Sequence, residues 1–437
     1  MSTPIDGFAT PCFASLGSPP RASSRVFWMR WRVSARRAGR AGWVLLLLGL
    51  GCRLAAEPAD PGSRWDVAAF VWPSYHDDPR ARVFWPEGFG EWQTVMQAKP
   101  KFQGHEWPRF PLWGYVNEAD RYVMEMQIAA AADHGVNVFI YDWYWYDGMP
   151  FLEACLNDGY LKARNNDRVK FYLMWANHDV RMIWDKRNAD DAFNRTNNAV
   201  IWKGGVDFDE FQRMIRRTIA KYFSHPSYYR IEGKPVYMIY DMPTFVRDIG
   251  GLDRAREAIA WFREEVQRAG FPGLELQATL RRDAAAPTSS TPQAARVPTQ
   301  SELVTALGLD SASHYQYVHM TNVDRDFADV QQDVEAEWKR IVGTYDFQYF
   351  PHVSVGWDTS ARGETYVGQV MKRNPPAEFE KALRAAKAFL EGNPARARLI
   401  TVNSWNEWTE ASYLQPDRTH GYGYLEAVKR VFVDEAR

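Results

Sequence analysis

Residues 118–145 read EADRYVMEMQIAAAADHGVNVFIYDWYW, and this stretch decides the fold. Its first part, Glu118–His134, is an amphipathic pattern that predicts a helix. The run Val136–Tyr141 follows, β-branched and aromatic, and predicts a buried strand that continues into Asp142-Trp143-Tyr144-Trp145. The same alternation recurs on both sides. Further strand candidates are Asp66–Val71, Val169–Trp175, Pro235–Tyr240, Leu274–Ala278, Ser313–Tyr317, Phe350–Val355 and Leu399–Ser404. Amphipathic stretches at Phe208–Phe223, Leu252–Ala269, Phe327–Tyr345 and Pro376–Glu391 lie between them. Strands alternating with long helical patterns indicate parallel βαβ units, and eight such units close a barrel. A doubly wound open sheet is the competing architecture, but no Gly-rich phosphate turn follows the first strand. The expectation is a single-domain (β/α)₈ TIM barrel over residues 65–437.

Polar and aromatic residues cluster where these strands end, the face on which such barrels build their sites. The first strand runs into Trp72-Pro73-Ser74-Tyr75-His76, and the third into Trp175-Ala176-Asn177-His178. Asp241, Trp357-Asp358 and Trp405-Asn406-Glu407-Trp408 occupy corresponding positions after later strands. The segment Arg281–Glu302, low in apolar residues and rich in Pro, Ser, Thr and Ala, reads as a mobile surface loop between strands five and six.

The chain has 19 Trp, 21 Tyr and 24 Phe in 437 residues. Most aromatics fill cores, but sugar rings also need flat apolar faces, so the excess leans toward carbohydrate. A formal net charge of -1 gives no general attraction to nucleic acid or anionic lipid. Of three cysteines, Cys12 and Cys52 lie near the N-terminus, leaving only Cys155, read as a small buried hydrophobe. From Met29, a second candidate start, a basic stretch (Arg30 to Arg40) precedes the apolar run Trp43 to Leu50 and a small-residue segment. That is the layout of a secretory signal: residues 1–56 as leader and signal, 57–64 as linker. Cleavage after Ala56 gives a free exported protein. Lipidation of Cys52, in Gly49-Leu50-Gly51-Cys52, would instead give a membrane anchor, the one membrane association expected.

Glycoside cleavage needs one carboxyl group to protonate the leaving oxygen and a second to attack, stabilise or deprotonate. Glu407 and Glu410, three residues apart beyond the last strand, reach the same rim if a tight turn follows it. Trp405 and Trp408 can desolvate one of them, and Asn406 can hold a substrate hydroxyl or orient Glu407. A solvated turn with incidental charges is the plain alternative. Asp142, Asn177, Asp241 and Asp358 are secondary candidates, as likely on residue type alone to be structural acceptors; His76 and His105 join them from long loops. Tyr75, Trp143, Trp145, Trp175 and Trp357 complete the aromatic set expected to touch substrate. No HExxH-like run exists, so neither a metal nor another cofactor is expected.

The motifs FVWPSYH (70–76), WPEGFGEWQTVMQAKPKFQGHEWPRFPLWGY (85–115), FIYDWYW (139–145), LMWANHD (173–179), IEGKPVYMIYD (231–241), VSVGWDTSAR (353–362) and NSWNEWTEASYLQPD (403–417) resemble, in order, the glycoside hydrolase family 99-like domain. That domain is related to endo-α-mannosidases and to glycosyltransferases assigned to polysaccharide loci. The resemblance implies a TIM barrel and a retaining mechanism, with both catalytic Glu in the last motif. Glu407 would deprotonate the sugar 2-hydroxyl for attack on the anomeric carbon, and Glu410 would serve as general acid and then base. Ala411 stands where the family's Gly is usual, and Phe70-Val71-Trp72 replaces a Tyr-rich strand end. An exported retaining glycosidase acting on an oligo- or polysaccharide is the expected function. The alternatives are a glycosyltransferase, for which the sequence offers no diphosphate cradle or metal-holding acidic motif, and a non-catalytic carbohydrate-binding barrel.

Overall fold

The computed structural model describes residues 65–181, 184, 199–282, 298–365 and 367–435. Eight parallel strands follow one another around a sheet: β1 (Asp66–Val71), β2 (Val138–Tyr146), β3 (Lys170–Trp175), β4 (Lys234–Ile239), β5 (Glu275–Leu280), β6 (Ser311–His314), β7 in two pieces (Gln348–Tyr349 and His352–Ser354) and β8 (Leu399–Asn403). β1 lies between β2 and β8, with Ala68 opposite both Val138 and Thr401. The first piece of β7 pairs with β6 and the second with β8, so residues 348–354 close the ring. Phe350 N donates to Ala312 O and Thr401 N to Pro351 O across the break. The described residues all fall in one unit, Pro58–Arg437. The leader, signal and linker readings at 1–56 and 57–64 lie outside them.

Helices α1 (Arg121–Asp133), α2 (Phe208–Thr218), α3 (Met242–Ile249), α4 (Leu252–Arg268), α5 (Gln300–Ala306), α6 (Phe327–Thr344), α7 (Pro376–Gly392) and α8 (Gly423–Lys429) link or follow the strands. Their starts are chemically marked. Asp120 accepts from Tyr122 N and Val123 N, Asp207 from Glu210 N, and Asp241 from Thr244 N, each meeting donors that the first turn leaves free. Thr299 and Glu302 form a reciprocal capping box, so the tail of the segment expected to be loop opens α5 instead. Residues 283–297 of that segment are outside the described residues. Another difference is β2, which runs five residues beyond the expected end. There Tyr144, Trp145 and Tyr146 pair with the antiparallel Met149–Phe151, prolonging the strand above the barrel rim. Cys155 is buried and free.

A buried network fixes the end of β1 against the end of β8. Asn406 accepts from Trp72 N at 2.8 Å through Oδ1 and donates to Trp72 O at 2.8 Å through Nδ2, imitating a strand pair. The same Nδ2 donates to Glu118 Oε2 at 2.7 Å. Glu118 Oε1 accepts from Gln127 and Gln415, whose amide oxygens receive the indole N–H groups of Trp405 and Trp408. Burial pushes the Glu118 carboxyl from 4.5 up to about 7, against the three amide donors that favour its ionised form. The folded chain therefore holds this proton more tightly than the unfolded chain. By linkage, the contribution favours folding at low pH and is lost as pH rises from 4.5 to about 7. A Glu118→Gln chain, unable to titrate there, is expected to lose less melting temperature than wild type between about pH 5 and about pH 8. Thermal melts at the two pH values check this; equal losses would remove Glu118 as the origin.

Candidate active site

Strand β8 ends in a hairpin: Asn406–Glu407 pairs antiparallel with Ser412–Tyr413, and Trp408–Glu410 makes the single turn between them. The three-residue spacing of Glu407 and Glu410 thus follows from one carboxylate on a strand and the next on the turn. Ala411 closes the turn in the left-handed region, φ 53°, which suits Gly better because a Cβ crowds the following carbonyl. Ser404 Oγ donates to Ser412 O and accepts from Glu407 N, both at 2.7 Å, while Tyr75 Oη accepts from Trp408 N at 3.0 Å. The hairpin is held at both legs.

Both carboxyl groups enter a cavity of about 290 Å³ at the C-terminal mouth of the barrel. The loops or ends of all eight strands contribute: Trp72 after β1, Asp142 and Tyr144 from β2, Met174, Ala176 and His178 at β3, Tyr240 after β4, Arg281 after β5, Tyr315 after β6, Arg362 after β7, and the acid pair after β8. Trp85, Glu91 and Trp184 complete the wall. Arg362 joins the acids, donating to Glu410 Oε1 at 2.8 Å and Glu407 Oε1 at 2.9 Å, with its Nε 3.5 Å from Glu91 Oε1. Tyr315 Oη lies 2.8 Å from Asp142 Oδ2 and 3.1 Å from Glu407 Oε2, so one hydroxyl serves two carboxyl groups. Glu410 Oε2 and Asp142 Oδ1 are buried without a hydrogen-bond partner.

Burial sets the protonation behaviour. It pushes Glu407 well above the ordinary carboxylate range, the charge of Glu410 adds to the rise, and Arg362 opposes it. Glu410 is raised as well, by burial, with Arg362 opposing through charge and hydrogen bond. Asp142 is pushed well up by burial against the Tyr315 hydrogen bond, and Glu91 is raised by burial against Arg362. Such a site can hold protons on some carboxyls and ionise others at one pH, as general acid–base chemistry requires.

Of the residues singled out from the sequence, Asp142, Glu407 and Glu410 line the cavity. Strand alternation turns several others away, because successive side chains point to opposite faces. In β2, Asp142 and Tyr144 face the cavity, whereas Trp143 and Trp145 face outward and donate to Glu153 Oε1 at 2.9 Å and Glu210 Oε1 at 2.6 Å. Trp175 packs outward against Phe211 and Phe245, and Trp405 against Phe139 and Trp113. Trp408 stacks on Tyr413 at 3.7 Å, and Tyr75 packs at a tilt of 31° against Trp92 at 4.0 Å. Asn177 bonds both ways to the backbone of Asp241, whose side chain caps α3. His105 and Trp107 both meet Asp358 Oδ2 at 2.7 Å, a buried tie among long loops. His76 is buried with neither ring nitrogen paired, Trp357 is half-buried against the core, and Asn406 serves the network on Trp72. These side chains build the wall from behind and do not line the cavity.

The lining that sequence reasoning passed over had partial signals. Tyr144 sits between two tryptophans that were chosen, and the alternation rule alone would have reversed the choice. Glu91, Trp85 and Arg362 lie inside motifs 85–115 and 353–362 that carry the family resemblance. Arg281 opens a segment that reads only as loop, and nothing in the sequence marks it.

The sequence profile of the family described as "Glycosyltransferase WbsX" matches residues 67–428. The uncharacterized protein WxcX of Xanthomonas campestris pv. campestris, in each of two strains, is 26% identical over 375 residues, 83% of this chain and 49% of the relative. The chain therefore spans about half the length of the curated relatives it matches. Among solved structures, the GH99 endo-alpha-mannosidase from Bacteroides thetaiotaomicron superposes with a TM-score of 0.54 at 15% identity, covering 85% of this chain and 97% of that one. A glycoside hydrolase-like protein gives a TM-score of 0.55 at 14% identity, covering 85% and 95%. At these identities the likeness establishes the barrel and its glycosidase-like fold. With the profile spanning nearly the whole described barrel, this chain belongs to the WbsX glycosyltransferase family.

Proposed function

We propose that the protein is an exported retaining glycoside hydrolase that cleaves an oligo- or polysaccharide with Glu407 and Glu410. The observation that carries the reading is the convergence of these two buried carboxyl groups on Arg362 inside an aromatic-walled cavity at the barrel mouth. The glycosidase-like fold supports it, as does the activity of its structural neighbour, an endo-alpha-mannosidase. Export rests on the signal-like N-terminus alone.

Glu407 suits the base. Arg362 and Tyr315 hold its carboxylate in place, and its raised pKa makes the ionised form a stronger acceptor. It takes the proton of a sugar 2-hydroxyl while that oxygen bonds to the anomeric carbon. Glu410, with one oxygen unpartnered and its proton retained more strongly than usual, protonates the departing glycosidic oxygen as the bond to carbon breaks. In the second half, ionised Glu410 deprotonates a water that attacks the anomeric carbon. The three-membered ring then opens, and the 2-oxygen regains its proton from Glu407. A sugar hydroxyl in place of that water would make the same site a transferase, a reading favoured by the family's name.

Reducing-sugar release from a polysaccharide panel, with no nucleotide sugar present, separates the two; products that appear only with an activated sugar donor would favour transfer. Glu410→Gln and Glu407→Gln are each expected to lower kcat by about 10²- to 10⁴-fold on an unactivated glycan. Near-normal turnover in either would move that role elsewhere. Tyr315→Phe removes a donor that stabilises ionised Glu407, so the acidic limb of the pH–rate profile should move to higher pH, with about a tenfold loss in rate. An unmoved limb would take Tyr315 out of the control of Glu407.

A further inference from the structure

We propose that Arg281 recognises a carboxylate on the bound sugar, so that the substrate is an acidic glycan carrying a uronate. This rests on the carbohydrate reading above and names the substrate class for the same cavity.

Two arginines line that cavity, and their surroundings differ. Arg362 is met by Glu407, Glu410 and Glu91, so its charge is already compensated. Arg281 stands after β5, three strands around the barrel from β8. Its guanidinium carbon lies over the Tyr240 ring, 5.2 Å from the centroid, within cation–π range. Its one carboxylate neighbour among the described residues is Asp241, at 3.6 Å, too long for a good hydrogen bond. Asp241 faces Arg281 through Oδ2 and caps α3 through its other oxygen, Oδ1, which accepts from Thr244 N at 2.8 Å. Arg281 Nε is buried without a partner, while 42% of the side chain is exposed. The protein has oriented this group without satisfying it.

The surroundings favour an anion there. His178, another lining residue, is pulled down to about 4 by burial, so at neutral pH it offers a neutral hydrogen bond and no charge. Arg281, facing one carboxylate where Arg362 faces three, is then the less compensated cation among the described lining residues. Repulsion from the acids is reduced because Glu91, Glu407 and Glu410 gather on Arg362, and burial drives Asp142 toward its neutral form. A guanidinium meets a carboxylate through two parallel N–H···O bonds, a fit that a neutral hydroxymethyl group cannot reproduce.

The test uses oligosaccharides containing glucuronate or galacturonate and the same oligosaccharides after chemical reduction of the carboxyl to a hydroxymethyl group. Binding to the full chain is measured by calorimetry, with reducing-sugar release followed in parallel. The wild type is expected to bind the acidic form about 10- to 100-fold more tightly than the reduced form. Arg281→Gln should erase that difference, and Arg281→Lys should restore only part of it. Equal affinity of the wild type for the two forms, no binding of the acidic form, or an undiminished preference in Arg281→Gln overturns the assignment, even if neutral glycans are hydrolysed. An Arg281-dependent preference with no sugar released from any glycan would leave the assignment standing and remove hydrolysis instead.

Discussion

The contact of Arg362 with Glu407, Glu410 and Glu91 is the constraint on which the site depends. Carboxyl groups removed from water and crowded together resist ionisation, and without a counter-charge they would all take up protons. One guanidinium with several donors can address three of them at once, which an ammonium could not do with the same fixed geometry. Its pull is not enough to return Glu407 or Glu410 to the ordinary carboxylate range. The outcome is a pair that holds its protons more tightly than ordinary carboxyl groups do.

Holding such a cluster demands a rigid frame, and the barrel supplies it behind the cavity. The hairpin bearing the acids is tied by Ser404 and Tyr75, and Asn406, the first residue of its first strand, is locked to both backbone groups of Trp72. Glu118, Gln127 and Gln415 extend that lock to the indoles of Trp405 and Trp408. Buried polar networks of this kind are useful only when their members are satisfied, and here every contact named has a partner of the right sense. The tryptophans of the last motif therefore act by fixing the wall. The aromatic side chains that line the cavity are instead Trp72, Trp85, Tyr144, Trp184, Tyr240 and Tyr315.

Family and fold point in related directions. The profile places the chain among WbsX glycosyltransferases, and the barrel superposes on a GH99 endo-alpha-mannosidase. Hydrolysis and transfer through a retained anomeric centre differ in the acceptor of the second step, so one arrangement of carboxyl groups serves either.

Much of this was legible in the sequence because local rules govern it. Alternating apolar runs and amphipathic stretches gave the eight strands and five of the eight helices named above to within a few residues, leaving α3, α5 and α8 unforeseen. Further misses came at β2, where pairing with Met149–Phe151 prolonged the strand, and in the polar segment whose tail forms the capped helix α5 at Thr299. The acid pair was visible too, since a strand followed by a tight turn carries both groups to one rim. Which tryptophans face the cavity was not, because one step along a strand exchanges inside for outside, and aromatic richness says nothing of phase. The sequence by itself determined a closed barrel with two glutamates at its mouth. Only the tertiary structure decided that Arg362, Tyr315 and Arg281, from three separate strand ends, meet there. Their chemistry depends on distances between residues far apart in the chain, and no local pattern encodes those.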